Sequence, residues 1–94
     1  MVVEDEPLVR MVAADALADG GIMAWEAGDA GEALEVLEQR PAIGVVFTDV
    51  NMPGEMDGLG LAHEVSLARP DVKIIVTSGA TVLSMRWARR SRRN

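Results

Sequence analysis

Val45-Val46-Phe47-Thr48-Asp49 is a short β-branched apolar run that stops at a carboxylate, and Val2-Val3-Glu4-Asp5 does the same near the start of the chain. Runs of this kind read as buried strands of a parallel sheet. In an open α/β sheet the crevice beyond the carboxyl ends of the strands is where ligands sit. If the two strands are neighbours, Glu4, Asp5 and Asp49 converge on one small volume. Three like charges there resist ionisation unless a cation neutralises them. The cluster reads as a seat for a hard metal ion beside a reactive carboxylate.

Outward from these runs, apolar segments alternate with amphipathic ones, the pattern of βαβα units and a parallel sheet. The first strand spans about 1–4. Pro7 suits the first position of a helix that buries Val9, Val12, Ala13, Ala16 and Leu17 and ends at Gly20-Gly21. A second strand over 22–26 lies near an edge. Asp29 and Glu32 form a capping box for a second helix with Ala30, Ala33, Leu34 and Leu37 on its apolar stripe. The third strand, 44–49, is expected to be buried on both faces. Pro53-Gly54 marks a turn, a third helix over 57–68 turns Leu59, Ala62, Ser66 and Leu67 inward, and a fourth strand spans 73–78.

Ninety-four residues, about half of them hydrophobic, allow one small domain with a real core. The lack of cysteine excludes a disulfide framework, a thiolate metal site and a thiol nucleophile. No signal peptide or membrane-spanning run is visible, so a cytoplasmic protein without membrane contact is expected. Charge is uneven. Residues 1–84 hold four basic and fifteen acidic residues, a net of −11, whereas 85–94 carry five arginines and no acid.

Together, Val2-Val3-Glu4-Asp5-Glu6, Thr48-Asp49-Val50-Asn51-Met52-Pro53-Gly54 with Met56-Asp57-Gly58, and Ile74-Ile75-Val76-Thr77-Ser78-Gly79 resemble the CheY-like receiver domain of two-component response regulators. The resemblance covers roughly residues 1–80. It implies a flavodoxin-like, doubly wound parallel α/β sheet with strand order 2-1-3-4. Asp49 matches the aspartate that accepts a phosphoryl group from a histidine kinase or phosphotransfer protein. Glu4 and Asp5 match the acidic pair that holds Mg²⁺ together with Asp49, and Asn51 matches the position whose backbone carbonyl completes the metal site. Ser78 matches the hydroxyl residue that hydrogen-bonds the phosphoryl oxygen. The role implied is a phosphoacceptor and signalling domain, not an enzyme.

The chemistry suits these residue types. An aspartyl carboxylate is a competent nucleophile, and it needs a cation to approach an anionic phosphoryl group. Mg²⁺ takes oxygen ligands from one or two carboxylates plus phosphate. An EF-hand reading of Asp49-Val50-Asn51 fails, because Pro53 and Gly60 stand where calcium ligands belong. His63 on the third helix reads as a surface residue.

The sequence also departs from the family. No fifth strand with its lysine, no aromatic switch residue and no last helix are recognisable, and Lys73 starts the fourth strand at the wrong end. The reading is therefore an incomplete receiver over 1–80, followed by a basic tail over 81–94 that begins a helix or is disordered. The tail has three readings: an anion or nucleic-acid binder, a segment folded onto the acidic body, or sequence that no longer encodes receiver structure. The abrupt end of the resemblance favours the third, and the tail's single tryptophan makes a nucleic-acid platform a poor fit. A bare fourth strand would be an unpaired edge, so a homo-oligomer formed there is expected. The alternative function is a receiver-like interaction module that is never phosphorylated.

Overall fold

The computed structural model describes residues 1–78 with their side chains and the backbone of residues 81–87. The elements are β1 (Val2–Val3), α1 (Pro7–Asp19), β2 (Glu26–Ala27), α2 (Ala30–Gln39), β3 (Val45–Asp49), α3 (Gly58–Ala68), β4 (Lys73–Ser78) and β5 (Thr81–Trp87). They build one sheet in the order β2-β1-β3-β4-β5. The first four strands are parallel in the expected 2-1-3-4 order, with Val3 level with Thr48, and Asp49 level with Thr77.

β5 is the main departure. Thr81–Trp87 turns back and pairs antiparallel with β4, from Ser78↔Thr81 to Lys73↔Trp87, with an irregularity at Val76/Thr77. The sequence reading allows no strand after the fourth and begins a helix or a disordered tail there. Leu83, Met85 and Trp87 alternate with Ser84 and Arg86. That two-residue period belongs to a strand, not a helix. The expected bare edge on β4 is consequently covered, and among the described residues β5 is the edge instead. Residues 88–94, the rest of the basic tail, lie outside the described residues.

The core lies on one side of the sheet. Ala30, Ala33 and Leu37 of α2 and Leu61 and Val65 of α3 pack with Val3, Val46, Ile74 and Val76. Both helices are capped as their sequences demand. Asp29 accepts a hydrogen bond from the Glu32 N–H at 2.8 Å, and Glu32 accepts one from the Gly28 N–H at 2.6 Å. Asp57 accepts from the Gly60 N–H at 2.9 Å. Arg69, which caps the end of α3, donates to the carbonyls of Leu37, Pro41 and Ile43 at 2.9–3.1 Å and ties α3 to the α2–β3 connection.

The opposite side is only partly covered, and two expectations give way there. β3 is buried on one face only: Val46 and Thr48 are buried, while Val45 and Phe47 remain 38% and 36% exposed. α1 contains no buried residue, and Val12 is 65% exposed. Residues of α1 flank a groove over β1 and β3 but do not close it. The third helix is also rotated from its expected phase, with Leu61 and Val65 buried and Leu59 and Leu67 exposed. Gly58 sets that rotation by packing directly on the β3 terminus.

Candidate functional site

β1 and β3 run side by side, so one step beyond the Val3–Thr48 pair brings Glu4 level with Asp49. One carboxylate oxygen each from Glu4, Asp5 and Asp49 lies within 4.8 Å of the other two. Glu4 and Asp49 are half-buried and Asp5 is exposed. The three line a cleft with Glu6, Val9 and Asn51, and among the described residues every charged one in its lining is acidic.

The backbone around Asp49 is held firmly. The Val50 N–H donates to the Thr77 carbonyl at 2.8 Å, and the Gly58 N–H donates to the Val50 carbonyl at 3.0 Å. Thr48, buried beneath the site, donates its hydroxyl to the Asp49 carbonyl at 3.0 Å. Asp49 Oδ1 is buried and has no hydrogen-bond partner among the described residues. A buried acceptor left without a donor is costly and marks a place where an ion or donor belongs.

Glu4 feels its neighbours. Partial burial is the largest influence raising its carboxyl above the ordinary value of 4.5. The Glu6 N–H, 3.2 Å from Oε2, opposes the rise, whereas a hydrogen bond with Asp5 and the charges of Asp49 and Asp5 add to it. Arg10 does not relieve the cluster. Its Nη1 donates to the Glu4 backbone carbonyl at 2.8 Å, and its Nε pairs with Glu26 at 3.5 Å, towards β2. The donor set and the orphaned oxygen together fit a hard divalent cation with oxygen ligands.

The structure thus brings together four of the five residues singled out from sequence: Glu4, Asp5, Asp49 and Asn51. Ser78 ends β4 one position beyond Thr77, the residue level with Asp49, and is not among the residues that line the cleft. His63 is exposed on α3. Two contributors escape the sequence reading. Thr77 shares the groove lining with Asp49. Gly58 reads in the sequence only as a helix start, yet a Cβ there would meet the backbone of Asp49 and Val50. A glycine in the first turn of a helix, where it weakens the helix, is the available signal.

A family model described as the response regulator receiver domain matches residues 1–89. The chain belongs to that family. Receiver domains are signalling domains of two-component systems, and they interact with histidine kinases or phosphotransfer proteins. This receiver is 42% identical over 80 residues to the sensor kinase CckA of Brucella abortus, an alignment covering 84% of this chain and 8% of CckA. The receiver domain of NtrX from Brucella abortus superposes with a TM-score of 0.75 at 34% identity, over 81% of this chain and 63% of that one. The response regulator TrrA from Thermotoga maritima, crystallised in complex with Mg²⁺-BeF, superposes with a TM-score of 0.77 at 32% identity, over 83% of this chain and 66% of that one. The chain thus spans under a tenth of CckA. Among the described residues, no helix is long and apolar enough to cross a membrane.

Proposed function

We propose that this receiver accepts a phosphoryl group on Asp49 from a phosphohistidine of a histidine kinase or phosphotransfer protein. The observation that carries the reading is the buried, partnerless Asp49 Oδ1 inside a cluster of three carboxylates. An Asp49 oxygen attacks phosphorus as the phosphorus–nitrogen bond of the donor breaks. The imidazole leaves with the bonding electron pair, and Asp49 becomes an acyl phosphate. Glu4, Asp5, Asp49 and the Asn51 carbonyl hold Mg²⁺. When bound, Mg²⁺ supplies the positive charge that offsets repulsion between carboxylates and phosphoryl oxygens. The family resemblance and the Mg²⁺-BeF complex of TrrA support this assignment. Ser78, at the end of β4, serves as the hydroxyl that meets the phosphoryl oxygen. Asp49 is the acceptor of the group, so the domain acts as a switch and not as a turnover enzyme, within a cytoplasmic pathway.

A second reading draws on the wholly acidic lining of the cleft. With no cation from the lining residues, the scaffold binds a metal or a partner and is not phosphorylated. One experiment separates the two. Incubated with acetyl phosphate and Mg²⁺, the wild type gains one phosphoryl group by intact mass and Asp49→Asn gains none. An unmodified wild type, beside a receiver control that reacts, rejects phosphoacceptor function and leaves the interaction module.

A further inference from the structure

β3 turns two side chains towards the core, Val46 and Thr48. Among the described residues Thr48 is the one buried polar side chain, 1% exposed, and the other large side chains buried as deeply are Leu, Ile and Val. A valine has the same branched shape and brings no hydroxyl to desolvate. A hydroxyl held in such a place needs an acceptor, and Thr48 has two within reach. The Asp49 carbonyl lies at 3.0 Å and Met52 Sδ at 3.8 Å. A hydroxyl carries one proton, so the carbonyl, the nearer and stronger acceptor, takes it, and the thioether makes the weaker contact.

These two acceptors bracket the chain as it leaves β3. The Asp49–Val50 peptide is held at both ends, its carbonyl by the Thr48 hydroxyl and its N–H by the Thr77 carbonyl at 2.8 Å. The next peptide is held through the Val50 carbonyl, which accepts from the Gly58 N–H at 3.0 Å. The Asn51 carbonyl follows, and beyond it Met52 is packed, partly buried, against the core. We propose that Thr48 is a positioning residue for the metal site: its buried hydroxyl ties the start of the β3–α3 loop to Met52 and so fixes the direction of the Asn51 carbonyl between them. The inference rests on the reading of Glu4, Asp5, Asp49 and Asn51 as a Mg²⁺ site. It adds a residue that touches neither the ion nor the phosphoryl group.

The role has a consequence for ion choice. Mg²⁺ demands a near-octahedral set of oxygens, whereas Ca²⁺ accepts a looser and more variable one. A loop carbonyl released from its fixed direction therefore penalises Mg²⁺ more than Ca²⁺. Groups that orient a ligand from behind contribute about 10–100-fold to metal affinity. Thr48 thus governs which divalent ion the acidic cluster prefers as well as how tightly it is held. A residue that merely filled the core would weaken both ions alike.

Titration calorimetry of the full-length chain with Mg²⁺ and with Ca²⁺ tests it, at a temperature where circular dichroism shows each protein folded. Thr48→Val is expected to raise the Mg²⁺ dissociation constant about tenfold and the Ca²⁺ constant less than about threefold. Thr48→Ser keeps the hydroxyl and recovers most of the Mg²⁺ affinity. Met52→Leu conserves volume, removes the weaker of the two ties and raises the Mg²⁺ constant about threefold. It decides alone should Thr48→Val not fold. Mg²⁺ affinity that is the same in wild type and in these two variants overturns the proposal. So does a loss of Mg²⁺ and Ca²⁺ affinity in equal measure, or a Thr48→Ser that binds Mg²⁺ no better than Thr48→Val. A wild type that takes up no Mg²⁺ at all removes the metal site itself, and the role of Thr48 falls with it.

Discussion

Gly58 packs against the main chain of Asp49 so tightly that a Cβ at position 58 would overlap the Asp49 carbonyl and lie 2.8 Å from the Cα of Val50. The obstacle is backbone, which cannot swing aside as a side chain can. Gly58→Ala is expected to cost about 2 kcal/mol or more. That corresponds to a fall in Tm of about 10 °C in a domain of this size. Thermal denaturation checks it. Since the displaced carbonyl belongs to the acceptor residue, divalent-ion affinity measured by calorimetry should fall as well.

Asp49→Asn removes one of three mutually repelling carboxylates. The metal-free variant should be more stable than wild type by about 1 kcal/mol, the repulsion of two unit charges about 4 Å apart in water. Mg²⁺ should reverse the order. At ten times its dissociation constant it stabilises the wild type by about 1.4 kcal/mol, and it helps the variant less. Urea unfolding of both proteins with and without Mg²⁺ measures the crossing.

Glu4 sets a pH dependence whose sign follows from its raised carboxyl. The folded state holds that proton more tightly than the unfolded chain. The resulting stability is fully present below the ordinary value of 4.5 and is lost as pH rises through the raised value. Metal-free wild type should therefore lose stability over that window relative to Glu4→Gln. Mg²⁺ affinity should change in the opposite sense, weakening as acid protonates Glu4. Melting curves across mildly acidic to neutral pH, in chelator and in Mg²⁺, report both effects.

Arg69 holds three carbonyls at the junction of α2, β3 and α3. Arg69→Ala strands the carbonyl of Ile43, a buried residue, and is expected to cost about 2 kcal/mol in urea unfolding. Arg69→Lys should recover less than half, because a point charge cannot reproduce a planar fork.

The acidic cluster was legible because each carboxylate directly follows an apolar run, and the end of a parallel strand has a fixed place in the sheet. Helix caps at Asp29 and Asp57 were legible for the same local reason. What escaped depends on neighbours. The apolar stripe of α1 and the Val45 and Phe47 side of β3 were expected to be buried, because periodicity shows which face is apolar and not whether anything covers it. The phase of α3 was missed because Gly58, and not the larger apolar residues Leu59 and Leu67, makes the closest approach. β5 was hidden by Arg86 and by the four arginines that follow it in the sequence. Charge drew the reading towards a tail, although the alternation from Leu83 to Trp87 and the Gly79-Ala80 pair between the two strand sequences are hairpin signals.

Helices bury only one side of the strand layer fully, and that asymmetry leaves a calorimetric signature. Val45, Phe47, Val9 and Val12 already meet solvent in the folded chain, so unfolding hydrates less new hydrocarbon than in a domain sandwiched between helices. The heat-capacity increment should fall short of the usual ~12–15 cal/mol/K per residue. The stability curve should flatten accordingly, giving a domain that responds weakly to cooling.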